Sequence, residues 1–154
     1  FVNFRMRYAI TLRNTGTVDA MPVALRIGMF AGTNANEYGI MQWMMRDDEE
    51  AHHTVEAIRA GQDYRFEGEL AAPLAALNPM VVEGRTLAIP IIAIDTRYHH
   101  GAGEAPLDGQ VARAFVVGRE PAAGAERLAP FRLDQGPTAF APLGQRDTGI
   151  GKTE

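Results

Sequence analysis

The sequence predicts an all-β fold, an antiparallel two-sheet sandwich of about seven strands with one short helical insertion. Three observations support this prediction. From Phe4 to Leu12, apolar residues occupy every even position, and mainly polar residues fill the odd positions between them. A second alternation runs from Val23 to Met29, and residues 87–94 form the most hydrophobic run of the chain. A period of two is typical of a strand with one buried face, whereas a continuous apolar run is typical of a strand buried on both faces.

Length and composition favour one globular domain and exclude several kinds of chemistry. The chain has 154 residues, of which 46% are hydrophobic, and a net charge of −4. The length is sufficient to bury a core. Acidic and basic residues are interspersed, so no nucleic-acid partner is predicted. The chain contains neither cysteine nor serine, which excludes disulfides, thiolate nucleophiles and a Ser-His-Asp triad.

The first two strands are expected to pair. The first ends at Asn14-Thr15-Gly16, where Asn and Gly tolerate the backbone angles of a tight turn. The second alternation begins after Pro22, which lacks a backbone donor and belongs at a strand start or an edge. Two amphipathic strands joined by such a turn predict an antiparallel pair.

The segment from Gly32 to Asp48 predicts the helical insertion. Thr33 or Asn34 is a suitable N-cap for a short helix over residues 35–45. This helix carries the most apolar cluster outside the strands: Met41, Trp43, Met44 and Met45. If exposed, the cluster is a contact surface, and if buried, it closes one end of the sandwich.

The middle of the chain predicts further short elements. A strand over Thr54–Ile58 leads through the turn Ala60-Gly61-Gln62 into an alternating strand from Tyr64 to Leu70. One helical turn over Pro73–Leu77 ends at Asn78-Pro79, since a residue preceding proline avoids the helical region.

The apolar run predicts a central strand over Arg85–Thr96. Pro90 interrupts the run and indicates a bulge or a partial edge at that point. A glycine-rich loop over His99–Gly109 and a last strand over Val111–Val117 follow. After residue 120 the alternation fades, so residues 1–120 are assigned to the sandwich and 121–154 to an extended tail.

The expected tail has apolar anchors spaced by proline and glycine. Phe131 and Phe140 are the largest of these anchors, and they are expected to pack on the body or on a partner. Residues 148–154 are expected to be mobile.

Several of these features occur in an order that indicates a family. The Asn14-Thr15-Gly16 turn follows the first strand, Ile58–Gln62 opens a middle strand, and Ile91–Asp95 is an aliphatic strand ending in Asp. In this order, over residues 4–117, the chain resembles the bacterial immunoglobulin-like domains of the CARDB type (cell adhesion related domain found in bacteria).

The resemblance has limits and implications. The chain departs from the family pattern in the long segment from Gly32 to Asp48 and in the tail after Gly118. The resemblance implies an immunoglobulin-like, non-enzymatic and extracytoplasmic module for spacing, adhesion or assembly, with no catalytic residues to carry over.

His52 and His53 form the first candidate metal site. His53 with Asp48 or Glu50 is a conceivable zinc or nickel site. Adjacent strand residues point to opposite faces, so the two histidines cannot easily share one metal. The alternative is a solvated polar loop. Asp47 and Asp48 lack the spacing of a calcium loop.

A second candidate site surrounds Tyr98-His99-His100. Asp95, His99 and either Glu104 or Asp108 would meet at one end of the sandwich. The alternative is a hairpin loop with incidental histidines. Neither segment shows a recurring metal-ligand spacing, and the chain is predicted to have no cofactor, metal or catalytic residue.

The predicted function is a non-catalytic module of a bacterial envelope protein, acting as a spacer or a protein-interaction and adhesion domain. The candidate contact residues are Tyr38, Met41, Trp43, Met44, Phe131 and Phe140. Partners would be proteins, neighbouring domains of the parent protein or a second copy. Since the chain starts in mid-strand at Phe1, it is expected to be part of a longer, membrane-anchored protein in the periplasm or envelope. A carbohydrate-binding module and a metal-binding domain are the alternatives.

Overall fold

A computed structural model describes residues 3–32, 36–47, 50–101, 107–121, 127–134 and 143–153. The strands are β1 (Asn3–Arg13), β2 (Ala20–Ala31), β3 (His53–Val55), β4 (Asp63–Pro73), β5 (Met80–Val82), β6 (Arg85–Ala88), β7 (Pro90–His100), β8 (Leu107–Arg119), β9 (Phe131–Arg132) and β10 (Leu143–Thr153). One α-helix, α1, spans Glu37–Met45, and a 3-10 turn spans Leu74–Leu77. The prediction of an all-β antiparallel fold with one short helix is confirmed.

The strands form three sheets, which is a more divided arrangement than the simple two-sheet sandwich expected. A five-stranded sheet has the order β10-β8-β7-β2-β3, a three-stranded sheet has the order β5-β6-β9, and β1 pairs with β4. The expected antiparallel pairing of the first two strands is wrong, because the residues after Arg13 lead from one sheet to another, where β2 pairs with β3 and β7. β7 lies at the centre of the largest sheet, as its apolar sequence predicts. Within the described residues, no helix has the length and apolarity to span a bilayer.

β1 and β4 cover one face of the five-stranded sheet. Their register is regular along the whole pair, from Asn3 opposite Pro73 to Arg13 opposite Asp63. Their alternating apolar side chains point inward, as the period of two predicts. The core beneath them contains Phe4, Leu25, Ile27, Phe66, Leu77, Ala88, Ile92, Val117 and Phe131. Each large apolar side chain buried there contributes about 1.5–3 kcal/mol relative to its exposed state.

The helix α1 covers the opposite face of the same sheet. Ile40, Trp43 and Met44 of α1 are buried against small residues of β7 and β8. The small side chains let the helix approach closely. At Gly28 of β2, an added Cβ would lie 3.0 Å from the Trp43 ring, so this position has no room for a side chain.

Pro90 marks a change of sheet. β6 ends at Ala88, and β7 begins at Pro90 in the five-stranded sheet. The carbonyl of Ile89, between them, accepts a hydrogen bond from the Gly32 amide at 2.7 Å. The expected single strand over Arg85–Thr96 is therefore two strands, because the residue without a backbone donor stands at the junction.

Two expectations about the later chain are wrong. Residues 99–100 and 107–109, expected in a loop, belong to β7 and β8, which pair as far as His100 opposite Leu107. Residues 143–153, expected in the tail with a mobile end, form β10 and pair with β8. The backbone hydrogen bonds of this ladder hold β10 despite its weak apolar alternation, and a bulge between Asp147 and Gly151 interrupts the register.

Candidate functional site

A buried polar network fastens α1 to the sheet. Asp95 is completely buried, and its Oδ2 atom accepts hydrogen bonds from Arg26 Nη2 and, at 3.0 Å, from Arg26 Nε. Arg97 Nε donates to the same oxygen at 3.2 Å, and Gln110 Nε2 donates to Oδ1 at 2.8 Å. One carboxylate therefore organises three side chains from three neighbouring strands.

The same three side chains bind the carboxyl end of α1. Arg26 donates to the Trp43 carbonyl at 3.1 Å, and Gln110 donates to the Met44 carbonyl at 2.7 Å. Arg97 reaches the carbonyls of Met44 and Arg46 at 2.9 and 2.6 Å. The last carbonyls of a helix have no partner within the helix and carry partial negative charge, which these donors satisfy. The network has a structural role, and Asp95 is not available to a metal.

The helical contact residues divide between core and surface. Met44 is fully buried, Trp43 is 9% exposed, and Met41 is half-buried. The Arg26 guanidinium also lies over the Trp43 ring, 4.7 Å from its centroid. Tyr38 is 72% exposed, and its hydroxyl accepts a hydrogen bond from Gln42. Trp43 and Met44 are thus core residues, and Tyr38 is the exposed member of the set.

Phe131 and Phe140 are the two candidate contact residues of the expected tail. Phe131 is 1% exposed and packs against Phe4, with ring centroids 5.2 Å apart. This position agrees with the expectation that Phe131 packs on the rest of the domain. It disagrees with the prediction that Phe131 is an accessible contact residue. Phe140 lies outside the described residues.

The histidines do not form a metal site within the described part of the chain. The Nδ1 atom of His52 accepts a hydrogen bond from the Ile27 amide at 3.1 Å, whereas His53 faces Tyr8. His99 pairs with Asp108 at 2.5 Å, and Arg97 stands between His99 and the buried Asp95. In the part of the chain that the structure describes, no three metal-binding side chains converge. Asp48 and Glu104 lie outside the described residues.

Tyr8 connects the β1-β4 pair to the five-stranded sheet. Its hydroxyl lies 2.6 Å from Nε2 of His53, so β1 is hydrogen-bonded to β3 across β4. Its ring occupies the space where Gly68 of β4 lacks a side chain, and a Cβ there would collide with the ring and hydroxyl. Burial raises the pKa of Tyr8 above its ordinary value of 10.0.

Replacing Tyr8 by Phe tests this connection. The variant should be about 1 kcal/mol less stable near neutral pH, because the hydrogen bond to His53 is lost. The raised pKa makes folded Tyr8 hold its proton above pH 10.0, so wild-type stability falls as pH rises beyond that value, and the variant lacks this fall. Urea titrations at pH 7 and above pH 10 should show the difference shrinking. A difference independent of pH would contradict this account, and Tyr38→Phe is the exposed control.

A cleft of about 450 Å³ opens between β1 and the five-stranded sheet. Residues 6–11 of β1 form its wall, and apolar residues of β7 and β8 form its floor. The side chains of the floor are Ile92, Ile94, Phe115 and Val117. Leu143 at the rim is 47% exposed. The pair β1-β4 therefore covers the sheet incompletely.

Among the residues that the structure describes, β1 has one unpaired edge, which lies along this cleft. It pairs with β4 on one side, and no described residue pairs with its other side. In an antiparallel ladder every second residue of an edge strand directs its N–H and C=O groups away from the sheet. Such an edge can accept another strand.

The outer face of β1 is basic. Arg5, Arg7 and Arg13 point outward, and Arg13 forms a close pair with Asp63 at 2.7 Å. Arg5 and Arg7 share the single carboxylate of Glu69 at 3.7 and 3.9 Å. Their side chains are 68% and 92% exposed. Arg7 also lines the cleft, and none of the described lining residues is acidic.

The hairpin of β5 and β6 presents a second exposed edge. Met80, Val81 and Val82 are 49%, 73% and 47% exposed, and β5 pairs only with β6 among the described residues. Glu83 and Gly84 have φ values of 51° and 75°, as a tight hairpin turn requires. Exposed apolar side chains on an edge strand favour pairing with another chain.

Replacing Val81 by Lys should reduce concentration-dependent association. A lysine on an edge strand opposes pairing with another chain, and the exposed position should change the stability by no more than about 0.5 kcal/mol. Sedimentation velocity over a concentration series measures the effect. Ala71→Lys, on the exposed face of β4, is the control. Equal association of the wild type and both variants would contradict a role for β5.

A second cleft lies at the loop end of the main core. This cleft of about 440 Å³ is lined by the turn after β1, by Ile58 and by the ends of β2, β7 and β8. Tyr98 and His100 lie in its wall, with their rings 5.5 Å apart. A carbohydrate-binding module would present a row of exposed aromatic rings. Tyr38 and Tyr64 lie on opposite sides of the five-stranded sheet, so these two rings and Tyr98 cannot form one row.

Comparison of the chain with protein-family models, curated proteins and solved structures found no match. The resemblance to the CARDB type stays a prediction.

Proposed function

We propose that the chain is a non-catalytic, immunoglobulin-like module of a bacterial envelope protein that binds another protein through the cleft beside β1. The observation that carries the proposal is the free edge of β1 above an apolar floor. In this reading, β1-β4 and the five-stranded sheet are the two layers of a sandwich whose smaller layer lacks a strand.

The chemistry of the cleft favours a polypeptide as the ligand. The free edge of β1 offers backbone donors and acceptors in the repeat of an extended chain. Ile94 and Phe115, the partly exposed residues of the floor, offer apolar contacts for the inward side chains of such a chain, above the buried Ile92 and Val117. Strand addition uses this combination, in which the backbone supplies affinity and the side-chain sites supply specificity.

Site-specific photo-crosslinking of the protein in living cells tests the proposal. A benzophenone side chain replaces Leu143 at the rim of the cleft, and in a control it replaces Met45, which is 65% exposed on the opposite face. The proposal predicts a discrete crosslinked polypeptide from position 143 in the native host and none from position 45. Glycan products at position 143, or equal products at both positions, would contradict it.

A further inference from the structure

We infer that the occupant of the β1 cleft is an extended segment of a partner protein in which apolar residues alternate with acidic residues. This inference rests on the proposed function, since it specifies the chemistry of the ligand for the same cleft. Three features of the cleft determine that chemistry.

The first feature is length. Residues 6–11 of β1 line the cleft, and a strand rises about 3.3 Å per residue, so the wall is roughly 20 Å long. An added strand of about six residues matches this wall. Three of its side chains would face the floor, and three would face solvent.

The second feature is the inward face. The floor consists of Ile92 and Ile94 of β7 and Phe115 and Val117 of β8, with Leu143 at the rim. Unpaired charges buried against such a surface are costly. The inward side chains of the segment must therefore be apolar.

The third feature is the basic outward face of β1, whose charge determines which partner segments fit. Side chains on the same face of neighbouring strands lie beside each other, so the outward side chains of a segment along residues 6–11 would flank Arg7, with Arg5 just beyond one end of the wall and Arg13 beyond the other. Arg13 is held by Asp63, but Arg5 and Arg7 have one distant carboxylate between them. Acidic side chains at these positions would complete the pairing.

The same charges oppose a second copy of this chain as the occupant. If two molecules joined through their β1 edges, the outer face of one β1 would lie beside the outer face of the other. Both faces carry arginines and no acids, and like charges on neighbouring strands are destabilising. A separate acidic segment is the better match.

Titration of isotope-labelled protein with synthetic peptides tests the inference. Capped octapeptides of alternating Val-Glu, alternating Val-Lys and alternating Val-Thr are added at low salt, and NMR shifts are followed at β1 amides and at Val117. The Val-Glu peptide should bind about ten-fold tighter than the Val-Lys peptide, because several cross-strand charge pairs change sign. The preference should weaken as salt is raised.

Charge reversal provides the matched variants. Arg7→Glu, at a side chain that is 92% exposed, should abolish or invert the preference for the Val-Glu peptide. Arg65→Glu, at an exposed site on β4, should leave the preference unchanged. Circular dichroism of each variant verifies that the fold is retained.

The outcomes separate the inference from the proposed function. Equal binding of the three peptides at the cleft would overturn the acidic specificity and leave strand addition intact. Failure of all three peptides to shift β1 or Val117 would overturn strand addition itself. Concentration-dependent shifts of the same resonances without peptide would identify a second copy as the occupant and overturn the inference.

Discussion

Replacing Asp95 by Ala should lower the free energy of unfolding by about 3–5 kcal/mol, the largest effect expected of any polar substitution in the described fold. The carboxylate is completely buried and accepts hydrogen bonds from Arg26, Arg97 and Gln110. Its removal takes a buried counter-charge away from the buried Arg26 guanidinium. Breaking a buried ion pair from one side is costly because the remaining charge stays desolvated.

The fluorescence of Trp43 identifies where the Asp95 variant loosens. Trp43 is the sole tryptophan of the chain, it is 9% exposed, and its carbonyl accepts a hydrogen bond from Arg26. Urea titration measures the stability, and a red-shifted emission before the main transition would place the damage at α1. Glu67→Ala, at an exposed ion pair with Arg65, is the control and should cost below about 1 kcal/mol. A similarly small loss for Asp95→Ala would contradict the anchoring role of the network.

Replacing Phe131 by Ala should lower the free energy of unfolding by about 3–5 kcal/mol. The side chain is 1% exposed and packs on Phe4 in the main core. β9, which contains Phe131, is only two residues long and pairs with β6 through Leu87 and Ala88. The position of β9 therefore depends more on the burial of the Phe131 ring than on its short backbone pairing with β6.

Chemical denaturation with a matched control measures the Phe131 effect. Met45→Ala removes a large apolar side chain that is 65% exposed and should change the stability by no more than about 0.5 kcal/mol. A loss below about 1 kcal/mol for Phe131→Ala would show that the ring is not part of the core.

The strands with strong patterns could be predicted from the sequence. β1 and β2 follow from their alternation, and β7 follows from its apolar run. β10 could not be predicted, because its residues include three glycines and several polar side chains. Backbone pairing with β8 holds β10 in place. A local sequence pattern cannot predict pairing with a strand that is distant in the sequence.

The candidate contact residues could be chosen from the sequence but not assigned to core or surface. The tertiary contacts of α1 bury Trp43 and Met44 and leave Tyr38 exposed. The one available signal was Gly28 in β2, where a missing side chain admits the Trp43 ring. Likewise, Arg26 and Asp95 are 69 residues apart and meet only through the pairing of β2 with β7.

Residue-resolved amide hydrogen exchange along β1 tests the central claim, that this strand has one unpaired edge. In the isolated chain, every second amide from Phe4 to Leu12 should exchange rapidly, while the intervening amides are protected by β4. The amides of β7, which pairs on both sides, should exchange slowly and provide the reference. Uniformly slow exchange along β1 would show that its second edge is already occupied and would contradict the account.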